Sequence, residues 1–315
     1  MILSLPFSLF SQDEKIAAFI KEGINLHDKG KYNEAIQAYK KALKIDKKHA
    51  LTHYEIGLSY YHLKAYKKTI KSINKALKYG KDERILLSAY LIKGAAIDDG
   101  GNTKKAIKVY EKAIKKHPKS YLLHYNASFS YYKINKYAAS KAAIKKALEL
   151  NPTHNSSNLL LAYINSEQGL RVQALMAVSK FLFLENLSHP VNISARAKRA
   201  FELYKKLALG NIKSKGNQIN ISLMLNEADE FSSLNLMMSL MQATNQQLAD
   251  SLNFSELEQL NFFMQTMCQS ISTSEVKDGF WGKQYVQFYK KIEEKKLVEA
   301  FRKMVLLSTK DESVI

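Results

Sequence analysis

Cysteine occurs once in 315 residues, at Cys268, which excludes an internal disulfide and any thiolate cluster for zinc or iron-sulfur chemistry. Proline (4) and glycine (12) are scarce, so long irregular connections are not expected. No run of about 20 apolar residues is present that could cross a bilayer as a helix. Gly-rich phosphate loops, nucleophile elbows and metal-ligand spacings are missing as well, so the expectation is a chain that is not an enzyme, with no metal site and no cofactor. What is there is 46% apolar and 24% charged, rich in Ala, Leu, Lys and Glu, and the expected class is all-α.

The few chemically suggestive residues have structural explanations. Leu257, Leu260, Met264, Met267 and Ile271 recur at helical spacing around Cys268, which makes it a buried small hydrophobe rather than a nucleophile. His49 and His53 form one close pair without a carboxylate beside it. Asp98, Asp99, Gly100, Gly101 and Asn102 resemble a cation loop but lack the remaining oxygen ligands and fall in a turn between two helices.

A 34-residue frame organises the middle of the chain, with blocks 16–49, 50–83, 87–120, 121–154 and 155–188. Block one places Phe19, Gly23, Leu26, Gly30, Tyr32, Ala35, Tyr39, Ala42 and Ile45 where later blocks repeat Gly57, Tyr66 and Ala76, or Gly94, Gly101, Ala106, Tyr110 and Ala113. Arg84 to Leu86 read as an insertion between blocks two and three. Block four has Ser128 for the glycine, and block five keeps only Ala162, Gly169 and Ala174. Each block predicts two antiparallel helices that cross closely at small residues, and stacking of blocks buries faces that no single block could bury.

These residues resemble the tetratricopeptide repeat, over about half of the chain. The resemblance implies a right-handed α-solenoid of about five helix pairs and a non-catalytic scaffold that holds a peptide or partner domain in a concave groove. The family's groove positions, carried onto this sequence, are His27, Asp28, Tyr54, Leu58, Tyr61, His62, Leu91, Asp98, Asp99, Tyr125, Phe129, Tyr132, Lys133 and Tyr163. Tyrosine offers rigid apolar area with a polar tip, suited to an extended peptide or a helix; each tyrosine serves equally well for packing against the next block. The Lys and Asn that family members use to clamp a chaperone's C-terminal carboxylate are replaced by Ile20 and Ile24, so that sub-function is not expected.

Charge is concentrated in the repeats. Residues 13–154 hold 30 Lys and Arg against 13 Asp and Glu, whereas 155–315 hold 18 against 16. Lys40, Lys41, Lys44, Lys47, Lys48, Lys112, Lys115, Lys116 and Lys119 fall on second helices and turns. The alternative function is therefore a basic surface for an anionic polymer, nucleic acid, membrane headgroups or an acidic protein. The small share of arginine and the lack of a nucleic-acid motif argue against nucleic acid and favour a solvated lysine face.

Beyond the repeats, residues 189–315 read as a mostly helical second domain. Ser194 caps a helix over Ala195–Leu209 that stops at Gly210. Alternation over 217–225 predicts a strand, which could form a hairpin with 211–215, lie along a helix or pair with a second chain. Helices come next at 227–247, 256–271, 281–294 and 297–307, the second with capping-box spacing at Ser255 and Glu258. Met237, Met238 and Met241 fit an adaptable binding surface but at helical spacing read rather as core filler, and Phe280, Trp281, Tyr285 and Phe288 as the anchor of this domain. The whole order resembles exported tetratricopeptide proteins of Bacteroidota. The apolar run Ile2 to Phe10, ending at Ser11, has the outline of a signal peptide, although no Lys or Arg precedes it and Leu9 stands three before the cut. The location expected is periplasmic or secreted at the cell envelope, otherwise cytoplasmic; without cleavage the run is a loosely packed tail.

Overall fold

The computed structural model describes residues 7–188, 193–210, 214–215, 218–219, 230–240, 243, 254–276 and 278–307. Ten helices come first, in consecutive pairs: α1 (Phe7–Asp28) with α2 (Tyr32–Ile45), α3 (Ala50–His62) with α4 (Tyr66–Tyr79), and α5 (Glu83–Asp99) with α6 (Thr103–Lys116). Then come α7 (Tyr121–Lys133) with α8 (Tyr137–Leu150), and α9 (Asn155–Glu167) with α10 (Arg171–Ser188). Packing divides the chain into two compact units, Met1–Ala143 and Ile144–Ile315, and the division falls within α8.

The turn inside every pair has one residue in the left-handed region: Gly30, Lys64, Gly101, Asn135 and Gly169. That conformation ends the first helix and reverses the chain, and it costs nothing at glycine but is strained at Lys64. Two boundaries differ from those expected of the sequence. Helix α1 starts at Phe7, so residues 7–10 of the apolar run continue into the first repeat helix, while residues 1–6 lie outside the described residues. Arg84 to Leu86 are no spacer: the Asp82 side chain accepts a hydrogen bond from the Arg84 amide and starts α5 a turn early, so the insertion is spent as helix.

In the first unit the second helices fit against glycines of the first. The space a Cβ on Gly23 would need is filled by the Tyr39 ring, and on Gly94 by the Tyr110 ring. Ile16, Ile20, Ala35, Tyr39, Ala42 and Ile56 form one core, and Ile97, Ala106, Tyr110, Ala113, Leu123 and Ala127 another. Where block four substitutes Ser128, its hydroxyl donates to the Ser140 carbonyl (2.8 Å) and Ser140 Oγ returns a bond to the Ser128 carbonyl (2.8 Å), so a polar pair replaces the glycine contact with no unsatisfied group.

In the second unit the last repeat pair shares its core with the helices C-terminal to it. Val172, Ala174, Leu175, Met176, Val178, Phe181 and Leu182 of α10 are buried. Helix α11 (Ala195–Leu209) is capped by Ser194 and ended by Gly210 as expected. Two-residue strands, Ser214–Lys215 and Gln218–Ile219, pair antiparallel. This is a hairpin, and the rest of the expected strand lies outside the described residues. The helix expected at 227–247 is described at 232–240; there Met238 is core and Met237 exposed, and Met241 lies outside the described residues. Helix α12 (Glu256–Ser272) has the Ser255–Glu258 capping box and buries Cys268, whose thiol burial pushes up well above its ordinary range. Helix α13 runs through Gly279–Trp281, a π-helical turn Gly282–Val286 and Gln287–Glu294, and α14 covers Val298–Leu306. Polar side chains tie these helices to the last pair: Tyr285 Oη donates to Asn158 Oδ1 (2.7 Å), Tyr289 Oη to the Met176 carbonyl (3.2 Å) and Asn186 Nδ2 to the Met304 carbonyl (2.6 Å). The Lys180 ammonium donates to the Gln284 carbonyl (2.9 Å) over the Tyr285 ring; burial lowers its pKa to about 8.

Candidate functional site: the first-helix face of the repeats

Helices α1, α3, α5 and α7, the first members of the four pairs, lie side by side within the first unit. Their exposed edges carry three groupings. The first joins the ends of α1 and α3 to the starts of α2 and α4. The His27 ring is edge-on to Tyr32 (5.0 Å) and to His62 (4.9 Å), Tyr32 stacks on His62 (4.9 Å, 11°), and His27 Nδ1 is 2.9 Å from the buried Ser59 hydroxyl. Burial and the neighbouring His62 hold the His27 pKa below the usual imidazole value. Tyr61 sits between His62 and Tyr66 and donates to Asp99 Oδ2 at 2.6 Å, which extends the line to α5.

The second grouping joins α5, α6 and α7. Asp98 is only 6% exposed and accepts from Thr103 Oγ1 (2.7 Å), Ser130 Oγ (2.8 Å) and Lys133 Nζ (2.8 Å). Burial works against its charge, but these three donors outweigh it and hold the carboxyl below the usual range. Asp98 and Lys133 thus fasten three helices together, and the carboxylate is not turned out to a ligand. Farther along α7, Phe129 is 44% exposed, and the Tyr132 ring lies 5.8 Å from Tyr137.

The third grouping was not legible in the sequence. Glu55, one residue after Tyr54 on α3, is half-buried; burial and the nearby Asp28 carboxylate raise its pKa, against the opposing Tyr39 hydroxyl. Ile24, 39% exposed, and Ile20 line a largely apolar depression with Ile16, Ala17 and Leu51, whose polar lining is Asp13, Lys21 and His49.

The remaining expected residues are spread out. Tyr54 packs on the core of Ile73, Ala76 and Ala89, and Leu91 on the core around Ile97. Leu58 and Tyr125 are half-buried on α3 and α7, and Tyr163 is half-buried on α9, in the second unit. Tyr32 and Tyr66 were not among the expected site residues, yet each opens a second helix and their 34-residue spacing, repeated loosely by Tyr137, was the available signal. Charge separates by helix. The acid-free α4 carries Lys67, Lys68, Lys71, Lys75 and Lys78, and α6 carries six lysines with only Glu111, whereas α3 has neither lysine nor arginine. Among the described residues no three His, Cys, Asp or Glu converge as metal ligands, and no helix is long and apolar enough to cross a membrane.

Comparison with known proteins agrees with this geometry. Family models described as TPR repeat and tetratricopeptide repeat match residues 23–64, 88–120 and 122–154. No curated protein matches the chain. Among solved structures it is similar to PilF of Pseudomonas aeruginosa (TM-score 0.53, 18% identity, covering 80% of this chain and 98% of that one). It is also similar to PilW, described as a widely conserved type IV pilus biogenesis factor (TM-score 0.51, 17% identity, 78% and 96%). At these identities the likeness is one of fold. The three matched segments carry tetratricopeptide repeats, and the consecutive helix pairs have the fold of a tetratricopeptide array.

Proposed function

We propose that the chain is a non-catalytic adaptor whose first-helix face, from His27 and Asp28 through Leu58, Tyr61 and His62 to Phe129 and Tyr132, docks a segment of a partner polypeptide. The observation that carries this reading is the exposure of Phe129 on a face whose neighbouring aromatics are already fixed by internal contacts, since a pre-ordered aromatic surface loses little entropy on binding. Asp98 serves there as a positioning group for α7. Residence in the cell envelope belongs to the same proposal and rests on the apolar run from Ile2.

Photo-crosslinking tests it. A benzophenone amino acid at position 58 or 129 of the full chain, expressed in its source cells, is expected to capture a polypeptide, and the same group at position 71 or 108 is not. Capture from 71 and 108 alone would overturn the reading. The lysine ladders of α4 and α6 favour a second one, an anionic partner on the opposite helices, which is recognised by steep loss of binding with salt.

A further inference from the structure

Within the first unit, α4, α5 and α6 enclose a cleft of about 290 Å³. Its apolar lining is Leu77, Tyr90 and Val109, all half-buried and packed on the cores of the second and third pairs. Its charged lining is Lys78 of α4, Lys93 of α5 and Lys112 of α6, with the Asn74 amide beside them. Spacing explains the convergence: Asn74 stands three and four residues before Leu77 and Lys78, Tyr90 three before Lys93, and Val109 three before Lys112, so each set shares one helix face. No carboxylate lines the cleft. Helix α4 has none, and the four on α5 and α6 are held elsewhere: Glu83 by His117, Asp98 by Lys133, Asp99 by Tyr61 and Glu111 by Tyr131. None of the three lysines has an ion-pair partner among the described residues. Lys93 is half-buried; burial first, then the charges of Lys112 and Lys105, hold its pKa below the ordinary value. Three ammonium groups thus meet at one concavity without the counter-charge that would offset the burial of the middle helix's lysine.

We propose that this cleft seats an acidic segment of a partner polypeptide, its carboxylates against Lys78, Lys93 and Lys112 and an apolar side chain on Leu77, Tyr90 and Val109. The inference rests on the second reading above, an anionic partner on α4 and α6, and names where on those helices the partner is held and by what chemistry. The exposed lysines outside the cleft, such as Lys67, Lys71, Lys104 and Lys108, create a diffuse positive field that attracts any polyanion. The cleft adds an apolar lining, which a phosphodiester backbone has no aliphatic group to fill and a polypeptide does. The Tyr90 ring already has the Lys116 ammonium over it (5.8 Å), which occupies a face that a nucleobase would stack on.

The test is fluorescence anisotropy on the full chain at physiological ionic strength. The probes are labelled 12-residue peptides of repeated Glu-Glu-Leu, Gln-Gln-Leu and Glu-Glu-Ser, and a single-stranded thymidine oligomer matched in charge to the first. The Glu-Glu-Leu peptide is expected to bind, and the other two peptides each about tenfold more weakly. The Lys93→Gln, Lys112→Gln chain should lose about tenfold in affinity for it. The Lys71→Gln, Lys108→Gln chain, equal in charge but altered outside the cleft, should lose less than about threefold, with helical circular dichroism unchanged in both. Equal losses in the two variants, or equal binding of the Glu-Glu-Ser peptide, overturn the cleft and leave a diffuse anionic-partner surface standing. Tighter binding of the thymidine oligomer than of the Glu-Glu-Leu peptide overturns the polypeptide occupant. Equal binding of the Gln-Gln-Leu peptide, or no binding of any probe, overturns both the cleft and the reading on which it rests.

Discussion

His53 Nε2 donates to the Lys47 carbonyl oxygen at 2.9 Å, closing the turn between the first and second pairs with a side chain at the fourth position of α3. His124 Nε2 does the same to Pro118 (3.0 Å), and Asn158 Nδ2 reaches Pro152 (3.4 Å). Each connects to a carbonyl six residues back. In the last pair the residue is Asn, which offers an acceptor as well, and that acceptor receives Tyr285.

Stability is therefore expected to fall on mild acidification. Burial depresses the His53 pKa, with smaller opposing and reinforcing effects from the Lys47 carbonyl and nearby charges, and burial likewise depresses His27 and His154. The unfolded chain binds protons from about pH 6.5 downward while the folded chain does not, so stability is full above that value and is lost as pH falls through the folded pKa values. Urea midpoints at pH 7.5, 6.5 and 5.5 should decline in that order. His53→Gln should flatten part of the slope while costing about 1 kcal/mol at pH 7.5.

Glycine-to-alanine changes on the first helices should separate by what they meet. Alanine gains about 1 kcal/mol of helix propensity over glycine. At Gly57 the added carbon would lie 2.6 Å from Cδ1 and 2.7 Å from Cγ1 of Ile73, a smaller side chain but a fully buried one, so the overpacking outweighs the propensity gain and Gly57→Ala should cost up to about 1 kcal/mol net. At Gly94 it meets the Tyr110 ring, buried and unable to retreat, so Gly94→Ala should cost about 1–3 kcal/mol net, read from the urea midpoint at constant slope.

Lys64→Gly should stabilise by about 1 kcal/mol, because the side chain is exposed and the backbone is left-handed (φ 56°). A lower thermal midpoint than the parent would show that Lys64 contributes something its conformation does not reveal.

Asp98→Ala should cost about 3–5 kcal/mol, since it orphans Thr103, Ser130 and Lys133 together, while Asp99→Ala, which removes one exposed bond from Tyr61, should cost under about 1 kcal/mol. Equal midpoints for the two variants would contradict the assignment of Asp98 as the fastener of α5, α6 and α7.

A chain cut after Ser188 should keep helical circular dichroism yet bind a hydrophobic dye and aggregate, because Met176, Phe181 and Asn186 lose the helices that contact or cover them. A soluble, dye-negative fragment would show that α10 closes its own core.

The helix pairs and the crossing glycines were legible because both arise from contacts within a few dozen residues, repeated at a fixed period: Gly23 beside Tyr39 and Gly94 beside Tyr110 stem from spacing alone. The same locality explains the capping box at Ser255 and the stop at Gly210. The site was read less well. Groove positions transferred by register put His27, Tyr61 and Phe129 on first helices, but register cannot say that Asp98 is consumed by Ser130 and Lys133, or that the Asp28 charge acts on Glu55. Nor could it show that Tyr285 would reach Asn158 across 127 positions.

Period and composition alone thus determined the helices, their pairing and the lysine-rich second helices, since each depends on neighbours near in sequence. Only tertiary packing decided which carboxylates were neutralised internally, as Asp98 is by Ser130 and Lys133, because that depends on side chains brought together from separate helices, where burial and partners set the energy of a charge.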